Sequence, residues 1–264
     1  MLDLLQKIFA TYNGTTYSLN DFLYSFSPEN PQFVLTTAIA GLTFLIGFLE
    51  YIYSFILVRR EGSAPYAVWM HTYYFAIDSM GIFVFALASI QVGGFWLFTA
   101  ASIAEVVWTL FEVYNIYKSI YLERQAIWGD ITVGQAWWKV IGQIVVFISV
   151  VNLFRVFMND PAMFKWYIFT NILMGIMTGL FWEKRGTRIG TSYQLAIIIC
   201  IGTINSFLPS NMWALASPYF TVANCPWFYV TGVIAVFFSI RTFWVLKKLP
   251  EKPKVLPNGK KSVW

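Results

Sequence analysis

Charged residues are scarce in this chain. They make up 12% of its 264 residues, whereas soluble domains average about 25%. Hydrophobic residues account for 58%, so water cannot be the main solvent of the folded chain. The length fits one compact bundle of about seven membrane spans with short loops, and no separate soluble domain is expected.

Cysteine and histidine are nearly absent: the chain has Cys200, Cys225 and His71. The two cysteines fall at opposite ends of adjacent predicted spans, a placement that disfavours a disulfide. One histidine cannot build a usual metal site, and there is no Cys-x-x-Cys or His-Glu-x-x-His motif. The sequence therefore predicts no metal and no redox cofactor. It also lacks a basic groove interleaved with exposed aromatics, so nucleic acid is not an expected partner.

Long apolar segments dominate what is present. Each is close to the ~20 residues that a helix needs to cross a hydrocarbon core. The segments are residues 33–58, 66–90, 94–118, 137–158, 163–182, 192–215 and 219–247. The predicted fold is an all-α, polytopic seven-helix transmembrane bundle.

Three regions follow from these segments. Residues 1–32 form an N-terminal segment, in which apolar residues at helical spacing from Leu4 to Phe9 predict a short interfacial helix. Residues 33–248 form the transmembrane domain. Residues 249–264 are rich in proline and lysine, a composition that predicts a disordered basic tail.

The orientation of the bundle is indicated by lysine and arginine. The loops after the first, third and fifth segments are basic, which places them and the C-terminus in the cytosol and the N-terminus outside or in a lumen. The membrane would be the endoplasmic reticulum in a eukaryote and the plasma membrane in a bacterium. Asn13-Gly14-Thr15 is an N-glycosylation sequon on the predicted outer side.

Asp78 lies near the middle of the second segment. A carboxylate at bilayer depth costs about 2.5–3.5 kcal/mol on insertion scales, so such residues usually face the protein interior and are functional. His71, Tyr74 and Asp78 are spaced 0, 3 and 7, which places them on one helix face. Asp78 is therefore the first candidate for a buried proton donor.

The third segment repeats this spacing with Glu105, Trp108 and Glu112. Glu50 in the first segment and Arg241 in the last lie at similar depths, so Glu50 and Glu112 are both candidates to form an ion pair with Arg241. A set of aromatic, amide and ionisable side chains could contact a substrate in an internal cavity. They are Glu50, Trp69, His71, Tyr73, Tyr74, Trp108, Asn171, Asn205 and Arg241.

One local pattern goes beyond composition. Residues 184–192 read Lys-Arg-Gly-Thr-Arg-Ile-Gly-Thr-Ser, and Gly202-Thr203 follows. This resembles the Arg-Gly-rich loop and following Gly-Thr of the small seven-span integral-membrane terpene cyclases, which close indole-diterpene and meroterpenoid skeletons in fungi and have bacterial relatives. Asp78 stands where that family has its span-two acid. In the last span, Arg241 occupies the region where the family has a second acid.

The resemblance implies a metal-independent cyclase. Asp78 would act as general acid on an epoxide or alkene, and Glu105 or Glu112 would hold, reprotonate or replace it. Aromatic rings would face the carbocation, with Trp69, Tyr73, Tyr74 and Trp108 as candidates. The partner would be a hydrophobic prenylated substrate that enters through the bilayer, besides the lipids themselves. The alternatives are a proton-coupled carrier, a lipid- or small-molecule-binding protein, and a non-enzymatic scaffold.

Overall fold

The computed structural model describes residues 16–256 and 258–264. The interfacial helix predicted around residues 4–9 and the sequon at Asn13 lie outside the described residues. In the described part the helices are α1 Leu19–Ser25, α2 Phe33–Glu61, α3 Val68–Gln91, α4 Trp96–Tyr121, α5 Arg124–Trp128, α6 Val133–Phe157, α7 Phe164–Arg185, α8 Tyr193–Phe207, α9 Met212–Ala216 and α10 Pro226–Lys248. No strand occurs in these ranges, only one isolated β-bridge between Val255 and Lys261.

Within the described residues, six stretches of helix are long and apolar enough to cross a membrane. They are α2, α3, α4, α6, α10 and the stretch Tyr193–Ala216, which contains α8 and α9. The all-helical membrane-protein class is thereby confirmed. The remaining predicted span is α7, a helix of 22 residues that is not among the six, so the count of seven is not confirmed.

The outer surface of the bundle is apolar. Phe83, Trp138 and Val233 are 69%, 76% and 70% exposed, and the 25-residue helix α6 buries only three of its residues. In water such a surface would be a liability, whereas it suits contact with lipid chains.

The helices form two groups that face each other. On one side α3 packs against α4 and α6, and on the other α10 packs against α7 and α8, with α2 against α8. Small residues allow close approach in the second group: a Cβ on Gly175 of α7 would lie 2.9 Å from Thr203 Oγ1 of α8. α2 reaches the first group through aromatic rings, such as Phe44 stacked on Trp108. Space therefore remains between the two groups.

The C-terminal tail folds back onto the end of α2. Glu61, the last residue of α2, accepts hydrogen bonds from Lys252 Nζ at 2.7 Å, Val263 N at 2.8 Å and Gly190 N at 2.7 Å. Burial lowers the pKa of the Lys252 ammonium, although the hydrogen bond and charge of Glu61 act to raise it. The prediction of a disordered tail is wrong for its described residues, because the lysine-rich segment contains the cation that this buried carboxylate binds.

The Arg-Gly-rich segment forms the turn between α7 and α8. Arg185 donates to the Ala64 carbonyl oxygen at 2.6 Å and Arg188 donates to the Leu246 carbonyl oxygen at 2.6 Å. Ser192 caps α8 by accepting a hydrogen bond from the backbone N–H of Leu195. These contacts connect the turn to the ends of the neighbouring helices, so in this chain the segment has a structural role.

Candidate functional site

A pocket with an empty volume of about 890 Å³, including its open part, lies between the two helix groups. It is bordered by α2, α3, α4, α7, α8 and α9. Most of the wall is aromatic or aliphatic, and none of the lining residues is lysine, arginine or histidine. The rings on the wall are Phe44, Tyr51, Tyr74, Phe85, Trp108, Phe164, Tyr167 and Trp213.

Asp78 and Glu105 form a carboxyl pair on this wall. Both line the pocket, both are almost fully buried, at 3% and 1% exposure, and the Glu105 side chain lies against Gly81, one turn after Asp78. Two neighbouring buried carboxylates repel each other, which favours a proton on one of them. The pair can therefore hold an acidic proton at the surface of an apolar pocket.

Gly81 provides the space for this pair. It lies in α3, one turn after Asp78. A Cβ at this position would overlap the hydroxyl oxygen of Tyr167 and lie 3.1 Å from Cδ of Glu105. The missing side chain thus allows Glu105 from α4 and Tyr167 from α7 to approach the same point of α3.

A hydrogen-bonded chain continues behind the pair. The Tyr51 hydroxyl lies 3.4 Å from Asp78 Oδ2 and 2.7 Å from Glu112 Oε1. Glu112 Oε2 lies 2.7 Å from His71 Nδ1. Glu112 and His71 are each 1% exposed and neither lines the pocket. His71 therefore does not border the pocket, and Glu112 is linked to it through Tyr51.

Glu50 is the third carboxyl group on the pocket wall. It makes no hydrogen bond or ion pair with any described residue. Its Oε1 faces Gly202 of α8, where a Cβ would lie at 3.5 Å, an ordinary van der Waals distance. The structure thus leaves Glu50 available to a ligand.

Arg241 is placed differently from the expectation. Its guanidinium donates to both oxygens of Glu183 at 2.8 and 2.7 Å, linking α10 to the end of α7. The two side chains are 29% and 48% exposed, and neither residue lines the pocket. An ion pair of Arg241 is confirmed, but its partner is Glu183 and not the predicted Glu50 or Glu112. The reason is that Glu183 lies on the adjacent helix at the same level.

Tyr74 and Trp108 line the pocket as expected. The Tyr74 hydroxyl donates to the Thr170 carbonyl oxygen at 2.9 Å, so its ring is fixed at the wall. Trp108 stacks on Phe44 with a centroid distance of 5.5 Å and an interplanar angle of 12°. Both rings can therefore present their faces or edges to a ligand.

Asn171 and Asn205 also line the pocket, on α7 and α8. Asn205 donates to Thr43 Oγ1 at 2.9 Å, and Asn171 accepts a hydrogen bond from the Ser206 hydroxyl at 2.9 Å. These amides join neighbouring helices and leave a polar strip on an otherwise apolar wall.

Trp69 and Tyr73 do not line the pocket. Tyr73 packs among Tyr74, Phe147 and Trp166, and Trp69 is half-buried against the same cluster. These two predicted substrate contacts do not border the pocket because residues 69 and 73 lie on a face of α3 that is rotated away from the face of Tyr74 and Asp78.

Two tyrosines of the site are missing from the sequence-based candidates. Tyr51 connects Asp78 to Glu112, and Tyr167 borders the acid pair. For Tyr51 a signal exists: Phe44, Phe48, Tyr51 and Phe55 are spaced 0, 4, 7 and 11 and form one aromatic face of α2, which packs on α4. For Tyr167 the sequence offers no comparable pattern.

Two further observations bear on the class of protein. Cys200 and Cys225 are both free thiols, and within residues 16–256 and 258–264 no three His, Cys, Asp or Glu side chains are grouped in a way that could hold a metal ion. Comparison with protein-family models, with curated proteins and with solved structures gives no match to this chain.

Proposed function

We propose that this protein is a membrane-embedded terpene or meroterpenoid cyclase that begins its reaction by protonation. The observation that carries the proposal is the pair of buried carboxyl groups, Asp78 and Glu105, on the wall of an aromatic pocket. The pair supplies a proton, and the surrounding rings supply the surface over which a carbocation is stabilised.

The reaction is an isomerisation in which Asp78 donates the first proton. Asp78 protonates the oxygen of a terminal epoxide, and the C–O bond breaks with its electron pair remaining on oxygen as a hydroxyl group. A neighbouring alkene supplies the electron pair of the new C–C bond and leaves a carbocation. The last carbocation loses a C–H proton to Glu50, and the bonding pair becomes a C=C bond. The free carboxyl of Glu50 on the pocket wall supports this second role.

The substrate is a hydrophobic prenylated molecule. The apolar, ring-lined wall of the pocket suits a polyene chain. In the proposed arrangement α7 also crosses the membrane, which brings the number of spans to seven. The N-terminus is then outside or lumenal, and the C-terminus is cytosolic. The substrate then reaches the pocket from the bilayer of the endoplasmic reticulum or the bacterial plasma membrane.

One observation favours a second candidate, a carrier or binding protein for a small organic cation. Glu50 has no partner among the described residues and shares the pocket with Trp108, Phe44 and Tyr74. A carboxylate beside aromatic faces is a typical binding site for an ammonium group.

The test uses the full chain, purified and reconstituted in lipid nanodiscs. The probes are a farnesylated phenol that carries a terminal epoxide and the parent compound without the epoxide. The cyclase forms a product of unchanged mass that has lost the epoxide. Asp78→Asn lowers the rate by about 10²–10⁴-fold, the typical contribution of a general acid, and Asp78→Glu retains part of the activity. The matched control is Glu183→Gln, which changes an acid outside the pocket.

Three results would contradict the proposal. Unchanged turnover in Asp78→Asn would remove Asp78 as the acid. An equal loss in Glu183→Gln would show a general effect on folding. Binding of an organic ammonium probe that depends on Glu50, without conversion of the epoxide, would favour the carrier.

A further inference from the structure

The chain behind the acid pair joins four side chains from three helices. His71 and Asp78 come from α3, Glu112 from α4 and Tyr51 from α2. The links are His71 Nδ1 to Glu112 Oε2 at 2.7 Å, Tyr51 Oη to Glu112 Oε1 at 2.7 Å, and Tyr51 Oη to Asp78 Oδ2 at 3.4 Å. Every member can release and accept a proton.

We propose that His71, Glu112 and Tyr51 form a proton relay that recharges the Asp78–Glu105 pair after each turnover. This inference rests on the proposed function, in which Asp78 gives its proton to the substrate and the proton lost at the end goes to Glu50. Asp78 does not regain that proton directly, so a separate supply is required. The relay residues act on the acid and do not contact the substrate.

The transfer balances at each link. Glu112 gives a proton to the oxygen of Tyr51 while the proton of that hydroxyl moves to Asp78, so one O–H bond forms and one breaks at the tyrosine. His71 with its proton on Nδ1 then gives that proton to Glu112 while Nε2 takes up another from water, so one N–H bond breaks and one forms at the ring. The sum of these steps is one proton moved from water to Asp78.

The position of His71 fits the entry of such a relay. It is the fourth residue of α3, next to the 62–67 loop, whereas Asp78 lies about 10 Å further along the helix axis at 1.5 Å per residue. His71 Nε2 and the hydroxyl of Tyr66 are both buried without a partner among the described residues, and their rings lie 5.9 Å apart. The relay therefore ends at two unsatisfied polar atoms near a loop.

The test measures proton exchange and does not need the substrate. Infrared spectra of the full chain in nanodiscs are recorded while H2O is replaced by D2O. The signal is the C=O stretching band of protonated carboxyl groups. The part of it that belongs to the acid pair is the part that is lost in Asp78→Asn and in Glu105→Gln. Tyr51→Phe removes the central hydroxyl, and we expect deuteration of this band to slow by about tenfold or more, a barrier increase of at least about 1.4 kcal/mol.

The matched control is Tyr74→Phe. Tyr74 is a buried tyrosine of the same pocket, but its hydroxyl bonds to the Thr170 carbonyl oxygen outside the relay, so its removal leaves the exchange rate unchanged. His71→Gln is the second variant, because glutamine can still donate to Glu112 but cannot pass a proton on. It slows exchange as well, and it serves as the test if Tyr51→Phe does not fold.

Exchange at the wild-type rate in Tyr51→Phe would overturn the relay, and so would the same result in His71→Gln if Tyr51→Phe does not fold. The relay would also be overturned if Tyr74→Phe slowed exchange as much as the relay variants do. Slow exchange in Tyr51→Phe without conversion of the epoxide by the wild type would support the relay and contradict the cyclase. Rapid exchange in both relay variants with an active, Asp78-dependent cyclase would contradict the relay alone.

Discussion

Glu61 and Asp78 are two buried carboxyl groups with opposite surroundings. Glu61 accepts from a lysine ammonium and two backbone N–H groups, so its charge is balanced and its lone pairs are used. Asp78 lies beside a second buried carboxyl group, Glu105, and within hydrogen-bonding distance of the Tyr51 hydroxyl, and the pocket wall has no lysine or arginine. The difference indicates that the Glu61 cluster stabilises the fold, whereas the pair at Asp78 has no such balancing charge, as the proposed acid chemistry requires.

The largest expected effect is on the Glu61 cluster. Lys252→Met leaves the carboxylate buried without its cation, and removing one partner of a buried pair costs about 3–5 kcal/mol. Thermal unfolding of the full chain in detergent measures the loss. The double variant Glu61→Gln/Lys252→Met should recover much of it, because an uncharged pair needs no counter-ion. Lys254→Met, at an exposed position of the same tail, is the control and should leave the unfolding temperature unchanged.

The next effect concerns the space that the acid pair needs. Gly81→Ala places a Cβ against Tyr167 and Glu105, and overpacking of this kind typically costs about 1–3 kcal/mol. Gly142→Ala is the matched control, because a Cβ there meets nothing within 4 Å. Unfolding measurements on both variants, with the epoxide assay, test this. Equal stability of the two variants would mean that the close approach at Gly81 is not needed.

A smaller change of stability is expected in the acid pair itself. Glu105→Gln keeps a group that can hydrogen-bond to Asp78, so the free energy of unfolding should change by about 1 kcal/mol or less, the size of one ordinary hydrogen bond. Turnover of the epoxide should nevertheless fall strongly, because the shared proton is lost. A loss of stability as large as that of Lys252→Met would remove the distinction between the two clusters.

The smallest effect is expected for Arg241→Leu. Its ion pair with Glu183 is partly exposed, and exposed pairs contribute about 0.2–1 kcal/mol. Unfolding in detergent, compared with Glu183→Gln, measures this contribution. A loss of several kcal/mol would show that the pair is more strongly shielded from solvent than its exposure indicates.

The sequence predicted where helices lie and which residues share a face of one helix. The predicted segment 66–90 corresponds to Val68–Gln91, and the 0, 3, 7 spacing placed Tyr74 and Asp78 on one face. It could not determine which helices are neighbours. Periodicity describes one helix at a time, so the contact of Asp78 with Glu105 and that of Arg241 with Glu183 depend on packing that no single segment contains.

The tail illustrates a second limit. Proline and lysine between residues 249 and 264 indicate disorder when the segment is considered alone. Its order depends on Glu61, which is 191 positions away from Lys252. A local composition rule cannot detect such a partner, because the free energy that orders the tail comes from contact with one buried charge elsewhere in the chain.

The same tail contact has a consequence for biosynthesis. Membrane proteins are made from the N-terminus, at roughly 5–20 residues per second, so α2 is complete long before its partners exist. Gly190 is the first of them to be synthesised, and Val263 follows 202 positions after Glu61. Glu61 must therefore stay hydrated at the end of its helix until these partners have been made. The burial of this carboxylate is consequently a late event of assembly, and it can be completed only after Val263 has left the ribosome.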